Sequence, residues 1–114
     1  MQAPLQPTPI RTTVERIGFK LLPDVARLSV RLNQEVAYSA GEQTPGVITL
    51  VLKQTRLGSA NNRFPLETSY FGTAVQRIVP SEKNGDVILE LRLDRPASYR
   101  VRQKQLELQV DVDR

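Results

Sequence analysis

At 114 residues, with no cysteine and no histidine, the chain has room for one domain and lacks the side chains for a disulfide, a thiol reaction or the commonest zinc sites. Sixteen basic and twelve acidic side chains leave a net charge of +4 at pH 7 and a pI near 9.9, and twelve of the sixteen basic residues are arginine. The longest apolar run, Val47 to Leu52, is far short of the ~20 residues of a membrane helix, so a soluble domain with no direct membrane insertion is expected.

Residues 1–10 carry Pro4, Pro7 and Pro9 among Gln and Thr, a composition that reads as a proline-rich linker ahead of a domain at 11–114. They lack the basic-then-apolar pattern of a secretory signal, which places any export signal outside this chain. A lead-in of this kind before a well-bounded repeat suggests a module of a longer protein.

Ile17-Gly18-Phe19 begins a strand, and Val14, of opposite parity to Ile17, calls for a bulge, a local turn or an exposed position. After Pro23-Asp24, Leu28-Ser29-Val30-Arg31-Leu32 alternates with the two-residue period of a half-buried strand. Ala40-Gly41 and Pro45-Gly46 carry turn chemistry, and Ile48, Leu50 and Leu52 form the next apolar alternation. The stretch 57–72 breaks the pattern, with one short helical turn expected between Leu66 and Phe71 after Pro65. Asn84-Gly85 has the chemistry of a type I′ hairpin turn joining 75–80 to 87–93. Beyond Arg95-Pro96, Leu106 to Val112 alternates most cleanly, with Glu107, Gln109 and Asp111 on the wet face.

The chain also repeats itself. Val14-Glu15-Arg16-Ile17 returns as Val75-Gln76-Arg77-Ile78, 61 positions on, and the same offset carries Leu28, Val30, Arg31 and Leu32 onto Leu89, Leu91, Arg92 and Leu93, and Tyr38 onto Tyr99. Ile48, Leu50 and Leu52 map onto Leu106, Leu108 and Val110 at an offset of 58, as though three loop residues were lost. Two copies are too few for a solenoid. The expected fold is an all-β sandwich of two pseudo-symmetric sheets, built from a duplicated three-strand unit.

Arginine pairs bidentately with carboxylate or phosphate, so its excess points to an anionic ligand. Arg31 and Arg92 are repeat-equivalent and outward-facing, Arg16 and Arg77 form a second such pair, and Arg27 shares a strand face with Arg31 about 13 Å away at ~3.3 Å per residue. Similar cationic patches are therefore expected on both sheets, spaced for separated carboxylates on a polymer. The other reading pairs these side chains across strands with Glu15, Glu90 or Glu107. Tyr38 and Tyr99 read either as caps on the core or as stacking platforms.

No catalytic residue, metal or cofactor is expected. Histidine and cysteine are absent, the carboxylates are scattered over outward positions, and no glycine-rich phosphate loop occurs. Nucleic acid is not an expected partner either, with aromatics at 5% and no basic helix or stacking motif.

The stretch DVARLSVRLNQEVAY at 24–38, the run from Val47 to Leu57, Val75-Gln76-Arg77-Ile78, DVILELRLDRPASY at 86–99 and the closing strand from Leu106 to Val112 together resemble the AMIN domain over roughly residues 11–113. Members of that family sit on the N-terminal side of periplasmic N-acetylmuramoyl-L-alanine amidases and type IV pilus secretins, as non-catalytic localisation modules that bind peptidoglycan. The resemblance implies a β-sandwich, a periplasmic setting and peptidoglycan as ligand. Its alternative is assembly with other envelope or secretin-complex proteins through sheet edges. One departure stands out: many members carry an Arg and an Asp in the strand that here reads Val47 to Leu52 without a charge.

Overall fold

The computed structural model describes residues 12–114, and the linker expected at 1–10 lies outside them. Ten strands make two five-stranded sheets that face each other as a sandwich. In the first, the order is β5 (Thr55–Arg56), β1 (Thr12–Leu21), β2 (Val25–Leu32), β10 (Glu107–Asp113) and β9 (Tyr99–Lys104). In the second it is β3 (Tyr38–Thr44), β4 (Val47–Leu52), β8 (Asp86–Leu93), β7 (Val75–Lys83) and β6 (Leu66–Glu67). Every pairing is antiparallel except β1 with β5.

The alternation that marked the strands also builds the core. Leu28, Val30 and Leu32 of β2 meet Ile48, Leu50 and Leu52 of β4, Leu89 and Leu91 of β8, and Leu108 and Val110 of β10, all fully buried. Truncating one of these leucines to alanine is worth about 2–5 kcal/mol in a core of this kind. Tyr38 and Tyr99 pack at the margin of the same cluster, which supports the core-capping reading of both.

The duplication is real, and each copy holds a fourth strand beyond the three expected: β3 in the first, β9 in the second. The copies exchange hairpins. The β1–β2 hairpin joins the β10–β9 hairpin through β2 and β10, and β7–β8 joins β4–β3 through β8 and β4. Val47 opposes Arg92 as Glu107 opposes its equivalent Arg31, so β4 maps onto β10 at an offset of 60, not 58. Leu106 is therefore not the counterpart of Ile48; it lies in the β9–β10 turn and is 39% exposed. The single residue lost from the second copy corresponds to an irregularity between Gly41 and Thr44 in β3 that β9 lacks.

The opposite parity of Val14 and Ile17 has a structural cause. A β-bulge between Val14 and Arg16 sets Val14 against Leu32 and Arg16 against Arg31, and the second copy has the same bulge between Val75 and Arg77. Asn84 and Gly85 take φ values of 54° and 83°, both positive as a type I′ turn requires. The connection holds two short 3₁₀ turns, Ala60–Arg63 and Ser69–Phe71, where one was expected.

That connection serves both bulges. The buried Asn62 amide donates to the Val14 carbonyl at 3.0 Å and the Leu57 carbonyl at 2.9 Å, and the Thr68 hydroxyl donates to the Val75 carbonyl at 2.8 Å. Gly58 passes over the first bulge at φ 80°, where a Cβ would stand 2.7 Å from the Val14 oxygen. Asn62→Ala should destabilise the domain by about 1–3 kcal/mol through the buried carbonyls it strands. Gly58→Ala should cost more, having both a steric clash and an unfavourable φ. Urea unfolding midpoints read both effects.

Candidate functional site

The outward residues of β1, β2, β10 and β9 line up in three rows across the first sheet. One row reads Arg16, Arg31, Glu107, Lys104; the next Gly18, Ser29, Gln109, Arg102; the third Lys20, Arg27, Asp111, Arg100. Their outward orientation follows from the buried partners between them, Leu28 and Val30 on β2 and Leu108 and Val110 on β10. Seven cations thus share one face with two carboxylates, while Glu15 and Asp113 sit at its margins.

The middle row is short where it crosses β1 and β2. Gly18 and Ser29 leave a trough between the long side chains of the rows on either side, a depression of about 310 Å³ lined by Arg16, Lys20, Arg31 and Glu107 as well. A second depression of about 220 Å³ shares Arg31 and Glu107 and continues to Lys104 and Gln109. A Cβ on Gly18 would meet nothing within 4 Å, so the trough floor is open space.

The cations differ in how far they are committed. Arg27 is bound bidentately by Asp111 across the strands, Nε to Oδ1 at 2.7 Å and the terminal nitrogen to Oδ2 at 3.0 Å, with both side chains largely shielded. Their hydrogen bond holds the Asp111 carboxyl below the usual aspartate range and raises the Arg27 guanidinium. Arg100 reaches Asp113 at 3.0 Å, and Arg102 donates to Gln109 at 2.9 Å, whose amide donates on to Glu107 at 3.0 Å. Arg31 comes only within 3.9 Å of Glu15. Arg16, Lys20 and Lys104 have no ion pair or hydrogen bond from their side chains among the described residues, which leaves Arg16, Lys20, Arg31 and Lys104 as the cations able to take an external anion.

Of the five arginines singled out in the sequence, Arg16, Arg27 and Arg31 come together here, with Arg27 in a structural role. Arg77 and Arg92 lie on the opposite face of the molecule, where Arg77 meets Glu67 at 2.7 Å and Arg92 meets Glu90 at 3.3 Å. The expectation of similar cationic patches on both sheets does not hold, because the second sheet presents Val79, Ile88, Val47, Thr49 and Val51 where the first presents mostly charge and amide. Lys20, Arg100, Arg102 and Lys104 were missed. The alternation Tyr99-Arg100-Val101-Arg102 was a signal for the last three, but only the β9–β10 register places them beside Arg31.

An aromatic ladder borders the depression. Phe19 lines it and packs against Phe71 at 5.5 Å between ring centroids, and Phe71 meets Tyr70 at 4.8 Å, with Tyr70 78% exposed. Among the described residues, no group of three or more His, Cys, Asp or Glu side chains is placed to hold a metal ion, and no helix is long and apolar enough to cross a membrane. No family model matches the chain, and no curated protein matches it.

The Arg27–Asp111 pair sets a pH dependence. Because the folded Asp111 carboxyl sits below its unfolded value of about 3.9, the pair stabilises fully above that pH and loses its contribution as pH falls through the folded value. Asp111→Asn should lower stability by about 1–3 kcal/mol at neutral pH, with the gap to wild type closing below about pH 3.9. Urea titrations across pH 2–7 measure the gap.

Proposed function

We propose that this chain is a non-catalytic binding module that docks on peptidoglycan, in a periplasmic setting, through the outer face of its first sheet. The observation that carries this reading is the concentration of seven cations in three rows on one face, with a trough beside the uncommitted Arg16, Lys20 and Arg31. The rows lie about 7 Å apart along the strands and the strands about 4.8 Å apart, which gives a grid of positive charge for repeated carboxylates. Stem-peptide carboxylates of a wall polymer supply anions at intervals, and the resemblance of the sequence to AMIN domains supports that ligand over other polyanions. A parent protein of amidase or secretin type belongs to the same proposal.

Individual contacts are weak on such a face. An exposed ion pair contributes about 0.2–1 kcal/mol, so retention depends on several contacts along one polymer and on the high local concentration of its repeats.

Co-sedimentation of the domain with purified sacculi is the direct test. Pelleting should fall as salt rises from about 50 to about 500 mM, since the screening length shortens from more than 10 Å toward a few Å. Arg16→Glu/Arg31→Glu should lower apparent affinity by about tenfold or more, equivalent to about 1.4 kcal/mol, while Arg77→Gln/Arg92→Gln leaves it within about twofold. Absence of pelleting at low salt by the folded domain would falsify the reading.

A second variant tests the trough itself. Gly18 has negative or extended φ and open space above it, so Gly18→Leu should fold normally yet fill the floor between Arg16 and Lys20. Reduced sacculus binding with an unchanged melting temperature is the expected result.

A further inference from the structure

The duplication makes β1 and β7 equivalent, with Arg16 matching Arg77, Ile17 matching Ile78 and Phe19 matching Pro80. The Leu22 N–H donates to the Val25 carbonyl at 2.8 Å, and bonded pairs alternate along the β1–β2 ladder from there. Lys20 and Gly18 therefore bond to β2, while Ile17, Phe19 and Leu21 turn their N–H and C=O groups to the other side. On the equivalent side of β7, β6 adds antiparallel, with Leu66 against Ile78 and Glu67 against Arg77, and the Glu67 carboxylate meets the Arg77 guanidinium at 2.7 Å. Pro80 then removes the next donor of that edge, a common way of closing an edge strand. Among the described residues, β1 has only β5 on this side, at Thr12 and Thr13, and nothing pairs there with its backbone from Arg16 to Leu21.

We infer that the open edge of β1 takes an extended segment of a partner protein, added antiparallel, whose residues alternate between apolar and acidic. Leu66-Glu67 displays that occupant on the equivalent edge of the second copy. The outward side chains of the added strand lie beside Arg16, Gly18 and Lys20. Across β1 and β2, Arg16 faces Arg31 and Lys20 faces Arg27, so these cations have like charge on one side and are complemented only by carboxylates on the other. The next seam of the same sheet follows that rule, since Arg31 and Arg27 of β2 face Glu107 and Asp111 of β10. The inward side chains of the added strand lie beside Ile17, Phe19 and Leu21, where Phe71 packs on Phe19 and where Leu21 and Phe71 are each 37% exposed. The chain itself offers no such strand for this edge. β1 of a second copy brings further cations, and residues 1–11 hold three prolines and no aspartate or glutamate. The inference does not rest on wall binding, although a strand bound here and a polymer in the trough compete for Arg16 and Lys20.

Amide hydrogen exchange of the chain, read by NMR with and without the end-blocked peptide Val-Glu-Val-Thr-Leu-Glu, tests this without any sacculus. The last two residues of the peptide copy Leu66-Glu67. In the free chain the Ile17, Phe19 and Leu21 amides should exchange about tenfold or more faster than those of Gly18 and Lys20. Peptide raised to about 5 mM should slow those three by about tenfold, saturably, and a peptide with Lys in place of both Glu should not. Arg16→Glu/Lys20→Glu should weaken the peptide by about tenfold, and Phe19→Pro, which copies Pro80, should abolish its binding. Should Phe19→Pro fail to fold, the charge-reversal variant, altered only at exposed side chains, decides alone. Slow exchange of the three amides in the free chain, or no slowing by peptide at the highest concentration, overturns the proposal. Equal binding of the Lys peptide, or equal peptide binding by the folded charge-reversal variant, overturns it too. Protection that grows with protein concentration in the absence of peptide assigns the edge to a second copy and overturns it as well.

Discussion

Neither half of this chain completes its own strands. β2 has β1 on one side and needs β10 on the other; β8 has β7 and needs β4. Buried backbone N–H and C=O groups must be paired, so each half alone would leave a central strand with an open edge beside an apolar face. The exchange of hairpins satisfies both strands at once and places their leucines in one shared core. It also brings the two bulges, at Val14 and Val75, within reach of one connection. Asn62 and Thr68 then hold the two bulge carbonyls, which makes the least regular segment of the chain a structural tie between its halves.

The same exchange separates what is constrained from what is free. Inward positions of both copies must fill one core, and they remain alike: Leu28 and Leu89, Val30 and Leu91, Val14 and Val75. Outward positions have no such partner across the sandwich, and there the copies have diverged into a face with seven cations and a face where β-branched side chains surround Arg77, Arg92 and Glu90. The internal symmetry is thus a property of the core, and the asymmetry of the surfaces is where function can differ from one side to the other.

Local pattern was enough for part of this. Period-two alternation marked β2, β8 and β10, and Asn84-Gly85 marked its hairpin, because each signal lies within a few neighbouring residues. β3 was hidden: Tyr38-Ser39-Ala40-Gly41 offers small side chains and an apparent turn, and it is held as a strand by β4. Register was hidden for the same reason. Leu106 continues the apolar alternation of β10 in the sequence, but the turn at Gln105, with φ 56°, takes it out of the ladder. The candidate face depends on register most of all, since Arg102 and Lys104 join Arg31 only through β10.

Arg27 shows why residue type alone did not define the site. In sequence it resembles Arg31, four positions on, and both point out of the same strand face. Asp111, 84 positions away, closes a two-point grip on Arg27 and removes it from competition for an external carboxylate. Arg31 faces Glu107 in the β10 register and Glu15 at only 3.9 Å, and its guanidinium keeps most of its capacity for hydrogen bonds. The difference is two residues of β10: an aspartate short enough to meet Arg27 squarely, and a glutamate already accepting from Gln109. A grid of cations on a sheet is therefore divided by its acidic neighbours into those that hold the strands together and those left for a ligand, and under the proposed function the members of the second group that line the Gly18–Ser29 trough, Arg16, Lys20 and Arg31, set where a polymer carboxylate is held.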